Sequence, residues 1–115
     1  MPYIKLNTNV EISSQQSQQL LAELSKLAVQ QTGKPERYVM VEVNGGKAML
    51  FGGDGSPLAF LECKSIGLSA AQAKGLAEAL TQSLAAALTI RPDRIYIEFR
   101  NCDAQFWAWN GATFG

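Results

Sequence analysis

Lys34-Pro35-Glu36-Arg37 runs straight into Tyr38-Val39-Met40-Val41-Glu42-Val43, and 57 residues on (91 minus 34) Arg91-Pro92-Asp93-Arg94 runs straight into Ile95-Tyr96-Ile97-Glu98-Phe99. Both apolar runs are rich in β-branched and aromatic residues and read as strands. Upstream of each lies an apolar pattern at helical spacing: Leu20, Leu21, Leu24, Leu27 and Ala28, then Leu76, Ala77, Leu80, Leu84 and Leu88. A serine of Ser13-Ser14 caps the first helix and Ser69 the second. Gly33 stands at the C-terminal end of the first, and Pro35 blocks its continuation. The same offset of 57 lays Tyr3-Ile4-Lys5-Leu6 on Phe60-Leu61-Glu62-Cys63, inside a strand read over Leu58 to Ser65. Against chance agreement between two helix-stop signals, strand and stop align at one offset, so one β-α-β unit occurs twice.

The expected fold is α/β (α+β in some schemes). Duplicated β-α-β units form a four-stranded mixed sheet with two helices on one face, in a single domain over residues 1–115 with repeats at about 1–57 and 58–115. Asn44-Gly45-Gly46 reads as a turn, Ala48 to Phe51 as a short extended piece, and Gly52 to Pro57 as a loop. Runs such as Tyr38-Val39-Met40-Val41 show no clean alternation, and strands of that kind want cover on both faces. Two helices cover one, so the second face is expected to pack on further copies of the chain in a closed ring.

The 115 residues suffice for one domain with its own core. Hydrophobic residues make up 47% and charged residues 17%, a globular balance. Ten Lys+Arg against ten Asp+Glu, with no basic run, argue against nucleic acid as a partner. The chain has no histidine, which excludes His-based triads and His-ligated zinc. Cys63 and Cys102 form no C-x-x-C pair and cannot make a zinc site unaided, and both read as reduced, partly buried thiols. The N-terminus lacks the apolar core of a signal peptide. No stretch approaches the ~20 apolar residues of a membrane span. A cytoplasmic protein without membrane partners is expected, and export by a route needing no signal peptide stays open.

Without histidine, a base near neutrality must be a perturbed carboxylate, Lys, Cys or the chain's own amine. Pro2 is small enough to permit removal of Met1, which would free a secondary amine. An α-amine titrates near ~8, and burial or a neighbouring cation lowers it further. Lys34 is either a solvated lysine at a helix end or an anion clamp beside the Pro2 strand. Ser65-Ile66-Gly67 is either an ordinary turn or a set of backbone N–H groups open to an anion. Trp107 and Trp109 are core or interface anchors, or a pocket wall. Gly45-Gly46-Lys47-Ala48 lacks the Ser/Thr of a phosphate loop, which discards nucleotide binding.

Taken in order, Met1-Pro2, Asn7-Thr8-Asn9-Val10, Thr32-Gly33-Lys34-Pro35 with Tyr38, Phe51-Gly52-Gly53, Ser65-Ile66-Gly67, Pro92 to Ile97, Trp109-Asn110 and Thr113-Phe114 resemble the macrophage migration inhibitory factor family of the tautomerase superfamily. The resemblance covers essentially the whole chain and implies no metal or organic cofactor. It implies a homotrimer around a central barrel, with active sites at subunit boundaries. It implies an isomerase, a keto–enol tautomerase acting on phenylpyruvate-like acids and dopachrome esters, with Pro2 as general base after Met1 removal. Lys34 and the backbone of Ile66, beside Ser65, would hold the substrate carboxylate. Tyr96 from a neighbouring subunit would shape the pocket, and Tyr38, Trp107 and Trp109 would wall it. A cytokine-like, protein-binding trimer with a vestigial pocket is the alternative, with a protein receptor as partner. Two departures bear on activity. Glu98 replaces the family's active-site asparagine, where a carboxylate repels an anionic substrate and raises the Pro2 pKa. Trp107 replaces a smaller aliphatic residue. Pro57-Leu58-Ala59-Phe60 stands in place of a C-x-x-C, so thiol exchange does not carry over.

Overall fold

Strand β1 (Tyr3–Thr8) leads through Ser13 into helix α1 (Ser14–Thr32), and a 3-10 turn (Glu36–Tyr38) then delivers strand β2 (Met40–Asn44). Strand β3 (Ala59–Ile66), helix α2 (Ala70–Leu88), a 3-10 turn (Pro92–Arg94) and strand β4 (Ile95–Cys102) repeat the plan. A hairpin of β5 (Ala108–Trp109) and β6 (Ala112–Thr113) closes the chain. The computed structural model describes residues 1–115. The sheet order is β2-β1-β3-β4, with β1 and β3 antiparallel at the centre and each outer strand parallel to its partner. This is the mixed four-stranded sheet expected from the duplication.

Both helices begin in a capping box, Ser13 with Gln16 and Ser69 with Gln72, so each satisfies two otherwise orphaned N–H groups. Helix α1 ends on Gly33 at φ 72°, a left-handed conformation that glycine adopts without a Cβ clash, and the Gly33 N–H donates to the Val29 carbonyl. Leu20, Leu24 and Ala28 of α1, with Leu76, Leu80 and Leu84 of α2, pack on Ile4, Leu6, Leu61 and Cys63 in one core. The helices thus cover one sheet face.

The duplication carries two offsets. Strand residues on the covered face correspond at 57 (61 minus 4), pairing Ile4 with Leu61 and Leu6 with Cys63, whereas the caps and buried helix residues correspond at 56 (69 minus 13). The first half therefore has one more residue between strand and helix. The prolines show the same slip: Pro35 caps its 3-10 turn, while Pro92 is the first residue inside the next.

The uncovered face corrects the reading of the strands as apolar on both faces. Burial alternates residue by residue along β1 and β3, and Tyr38 and Val39 belong to the turn and its cap, not to β2. The open face carries Lys5, Lys64 and Arg100 with Glu42, Glu62 and Glu98, in register across all four strands. Such a face tolerates water, so no requirement for a covering copy follows from apolar strands.

Loop 45–58 is fastened from two sides. The Thr8 hydroxyl donates to the Leu58 carbonyl at 2.6 Å, and the Asn9 side chain donates to Gly55 and accepts from Leu58. The Arg94 guanidinium donates to the carbonyls of Phe51 (2.9 Å), Asp54 (2.8 Å), Ser56 (3.0 Å) and Pro57 (3.4 Å). Its charge lies 5.1 Å from the Phe51 ring centre. The extended piece expected at Ala48 to Phe51 forms no strand, and its only ladder contact is the bridge between Phe51 and Asp54.

Candidate active site

Pro2 sits one residue before β1. The alternation that buries Ile4, Leu6 and Thr8 extends to it, so its ring is buried on the helix-facing side. Its carbonyl accepts from the Met40 N–H at 3.0 Å, which ties the chain terminus to β2. In the antiparallel register Tyr3 lies opposite Lys64, so the next steps bring Pro2 level with Ser65 and Met1 level with Ile66. A cavity of about 550 Å³ opens at this end of the sheet. Met1, Pro2, Tyr3, Met40, Glu42 and Lys64 line its sheet side, with Arg37 and Tyr38 from the turn before β2. Trp107, Trp109 and Phe114 close it from the C-terminal segment.

The aromatic wall is built by the hairpin. Asn110 (φ 52°) and Gly111 (φ 81°) both take the left-handed conformation that a tight two-residue turn requires. The Phe114 N–H donates to the Trp107 carbonyl at 3.0 Å. Trp109 and Phe114 meet the Tyr38 ring edge-on, at 5.9 and 6.5 Å between centroids, and stack on each other. Aromatic pairs prefer these edge and offset arrangements. Tyr38, Trp107 and Trp109, read from sequence as wall candidates, do meet at Pro2.

The N-terminal amine at this cavity belongs to Met1, whose pKa is held below the ordinary α-amine value first by burial and then by the Lys34 ammonium. Both causes favour the neutral amine. Lys34 follows the Gly33 cap, and its N–H donates to the Thr32 hydroxyl at 3.2 Å. It flanks the cavity without lining it. Ser65 is buried, and its hydroxyl contacts the Ile66 carbonyl at 3.4 Å.

Tyr96 and Glu98 lie elsewhere. Tyr96 pairs with Phe60, which pairs with Asn7 at the far end of β1 from Pro2. It is 60% exposed and packs on Phe51 at 4.5 Å, beside a separate apolar hollow of about 400 Å³ lined also by Met49 and Leu50. Glu98 is held on the open face by Arg100 at 3.4 Å. Within one chain neither residue lines the Pro2 cavity.

Sequence reading missed Tyr3, Arg37, Met40, Glu42, Lys64 and Phe114 as site residues. The Tyr3 hydroxyl donates to Glu42 at 2.6 Å, and Asn44 donates to the same carboxylate at 3.1 Å. These bonds, the Tyr3 one foremost, hold Glu42 below the usual carboxylate range, and Tyr3 is pushed up to about 12. The hairpin signal, Asn110-Gly111, was present in the sequence and marks where Trp109 and Phe114 would fold back. No three His, Cys, Asp or Glu side chains converge as metal ligands, and no helix is long and apolar enough to cross a membrane.

Comparison with known proteins follows the same outline. The sequence model of the family "Macrophage migration inhibitory factor (MIF)" matches residues 1–115. A macrophage migration inhibitory factor homolog of Brugia malayi is 42% identical over 116 residues, spanning 100% of both chains. The macrophage migration inhibitory factor of Meriones unguiculatus is 41% identical over 99% of both. Among solved structures, a homologue from Prochlorococcus marinus superposes with a TM-score of 0.93 at 37% identity, over 98% of this chain and 99% of that one.

Proposed function

Since the chain belongs to the macrophage migration inhibitory factor family, we propose that it is a keto–enol tautomerase of phenylpyruvate-like acids whose base is the Pro2 amine, freed by removal of Met1. The observation that carries this reading is the N-terminal amine at an aromatic-walled cavity, held below its ordinary pKa by burial and Lys34. Loss of Met1 moves that amine one residue inward, onto the buried Pro2 ring. A base poised near the working pH is the most effective proton carrier.

In the proposed reaction the Pro2 nitrogen takes a proton from the enol oxygen or from the carbon next to the keto group. It returns that proton to the other atom, so no atom is gained or lost. Lys34 and the backbone of Ile66, next to Ser65, hold the substrate carboxylate. Tyr38, Trp107 and Trp109 sandwich the aromatic ring. Tyr96 comes from a neighbouring copy in a homotrimer, a reading consistent with its place at the far end of the sheet from Pro2 within one chain. The chemistry asks for no metal or organic cofactor. Glu98, arriving with the same neighbour, opposes an anionic substrate, so Glu98→Asn raises turnover.

The test is phenylpyruvate tautomerisation by a preparation whose intact mass shows that Met1 is gone. Pro2→Gly should lower turnover by roughly 10²-fold or more while the circular-dichroism spectrum and assembly size persist. Full activity in that variant overturns the proposed base. Background activity in the Met1-free parent leaves a protein-binding trimer with a vestigial pocket as the better reading.

A further inference from the structure

We propose that the Pro2 cavity selects ligands bearing a second anionic group, and that Lys64 and Arg37 read that group. The argument is a charge inventory of the cavity. Three formally charged side chains line it, Arg37, Glu42 and Lys64, beside the phenols of Tyr3 and Tyr38. Glu42 is already occupied, accepting from the Tyr3 hydroxyl at 2.6 Å and from Asn44 at 3.1 Å, in the field of Lys5 and Lys47. The two ion pairs of the chain are Arg91 with Asp93 and Arg100 with Glu98, so neither Arg37 nor Lys64 has a carboxylate partner. Glu36, the acid next to Arg37, accepts instead from the Ser25 hydroxyl at 2.8 Å.

Arg37 is held in place by its neighbour, and Lys64 is set at the cavity by strand register. The Arg37 guanidinium lies 4.7 Å from the Tyr38 ring centre, on the aromatic wall. A cation–π contact orients the group and leaves its charge and donors available. Lys64 projects from the centre of the sheet, opposite Tyr3. A monoacid whose carboxylate goes to Lys34 leaves both unanswered. An arylpyruvate with a carboxylate on its ring, or another 2-keto acid with a distal anion, answers them through charge-assisted hydrogen bonds.

This rests on the Pro2 cavity being the substrate site, so the test reads binding apart from turnover. Quenching of Trp107 and Trp109, the two tryptophans of the chain, is followed during titration with 3-phenylpropanoate and with 3-(4-carboxyphenyl)propanoate. The Met1-free protein should bind the diacid at least roughly tenfold tighter at low salt, and the gap should narrow as salt is raised. Lys64→Gln and Arg37→Gln should each bring the diacid's affinity toward that of the monoacid. Equal affinity for the two acids, or an affinity ratio unchanged in the double variant, overturns the proposal. A variant that merely loosens the fold weakens both acids together and leaves the ratio intact, which counts against it. Turnover of phenylpyruvate without diacid preference refutes this inference alone. Diacid preference without turnover of the matching keto acid refutes the tautomerase and leaves the anion site standing.

Discussion

Replacing Arg94 with alanine strips three short hydrogen bonds, to Phe51, Asp54 and Ser56, and a longer one to Pro57. A hydrogen bond from a charged donor contributes about 1.5–3 kcal/mol. The full sum does not apply, because the Asp54, Ser56 and Pro57 carbonyls lie at exposed positions where water replaces the donor. Only the Phe51 bond is partly buried, and there the freed carbonyl keeps its desolvation cost. Adding a few tenths for each exposed bond and the loss of the cation over Phe51 gives about 2–3 kcal/mol. Urea denaturation at fixed protein concentration should show this as a lower midpoint with an unchanged slope. Amide exchange locates it: the Phe51 and Asp54 N–H groups, which bond each other's carbonyls, should exchange faster, while those of α1 keep their rates. Arg94→Lys presents one point of charge to four acceptors and should recover less than half. A loss below about 0.5 kcal/mol, well under the value of one charged hydrogen bond, or full recovery by lysine, refutes the clamp.

Tyr3 is pushed up to about 12 by its bond to Glu42, so one of the three tyrosines should ionise last in an alkaline spectrophotometric titration, and Tyr3→Phe should remove that step. The shift favours the neutral phenol, so its contribution to stability is full below the ordinary value of ~10 and fades as pH rises toward 12. Glu42 is shifted the opposite way, so its share is present above the ordinary carboxylate range and fades as acid titrates the folded group. Simultaneous ionisation of all tyrosines near ~10 contradicts the bond. Burial pushes the Cys63 thiol up to about 11, so a disulfide reagent at pH ~8 should modify the half-buried Cys102 and reach Cys63 only on unfolding. Two fast equivalents in the native protein would count against that core. Leu24 is 0% exposed between α1 and the sheet, so Leu24→Ala should cost about 3–5 kcal/mol in urea denaturation. A loss under ~1 kcal/mol means the site collapses around the smaller side chain.

Local signals decided what could be read in advance. A serine of Ser13-Ser14 and Ser69, through their hydroxyls, and Gly33, through its backbone, act within a turn of their own positions, and the caps form there, with Ser13 the serine that serves. The proline-led repeat located both outer strands, but it began β2 two residues early, because Glu36–Tyr38 winds into a 3-10 turn before the strand opens. The second helix stops at Leu88, before the Ile90-Arg91-Pro92 signal, where Thr89 turns left-handed at φ 54°. The aromatic wall was recognised by residue type, but its assembly depended on the Asn110-Gly111 turn. Lys64 and Arg37 were illegible for another reason. A lone cation in sequence looks solvated, and only the register with Tyr3 and the packing of Tyr38 bring them to one cavity.

The charged open face of the sheet bears on the order of events in the life of the chain. Lys5 stands between Glu42 and Glu62 across three strands, while Glu62 faces Glu98 and Lys64 faces Arg100, like charges that water between them screens, so this surface is hydrated the moment the strands pair. Folding therefore needs no second molecule to shield it, and the fourteen-residue core is complete within one chain. Any assembly is then a meeting of finished parts. Its rate should scale with concentration, whereas the rate at which helices and sheet come together should not.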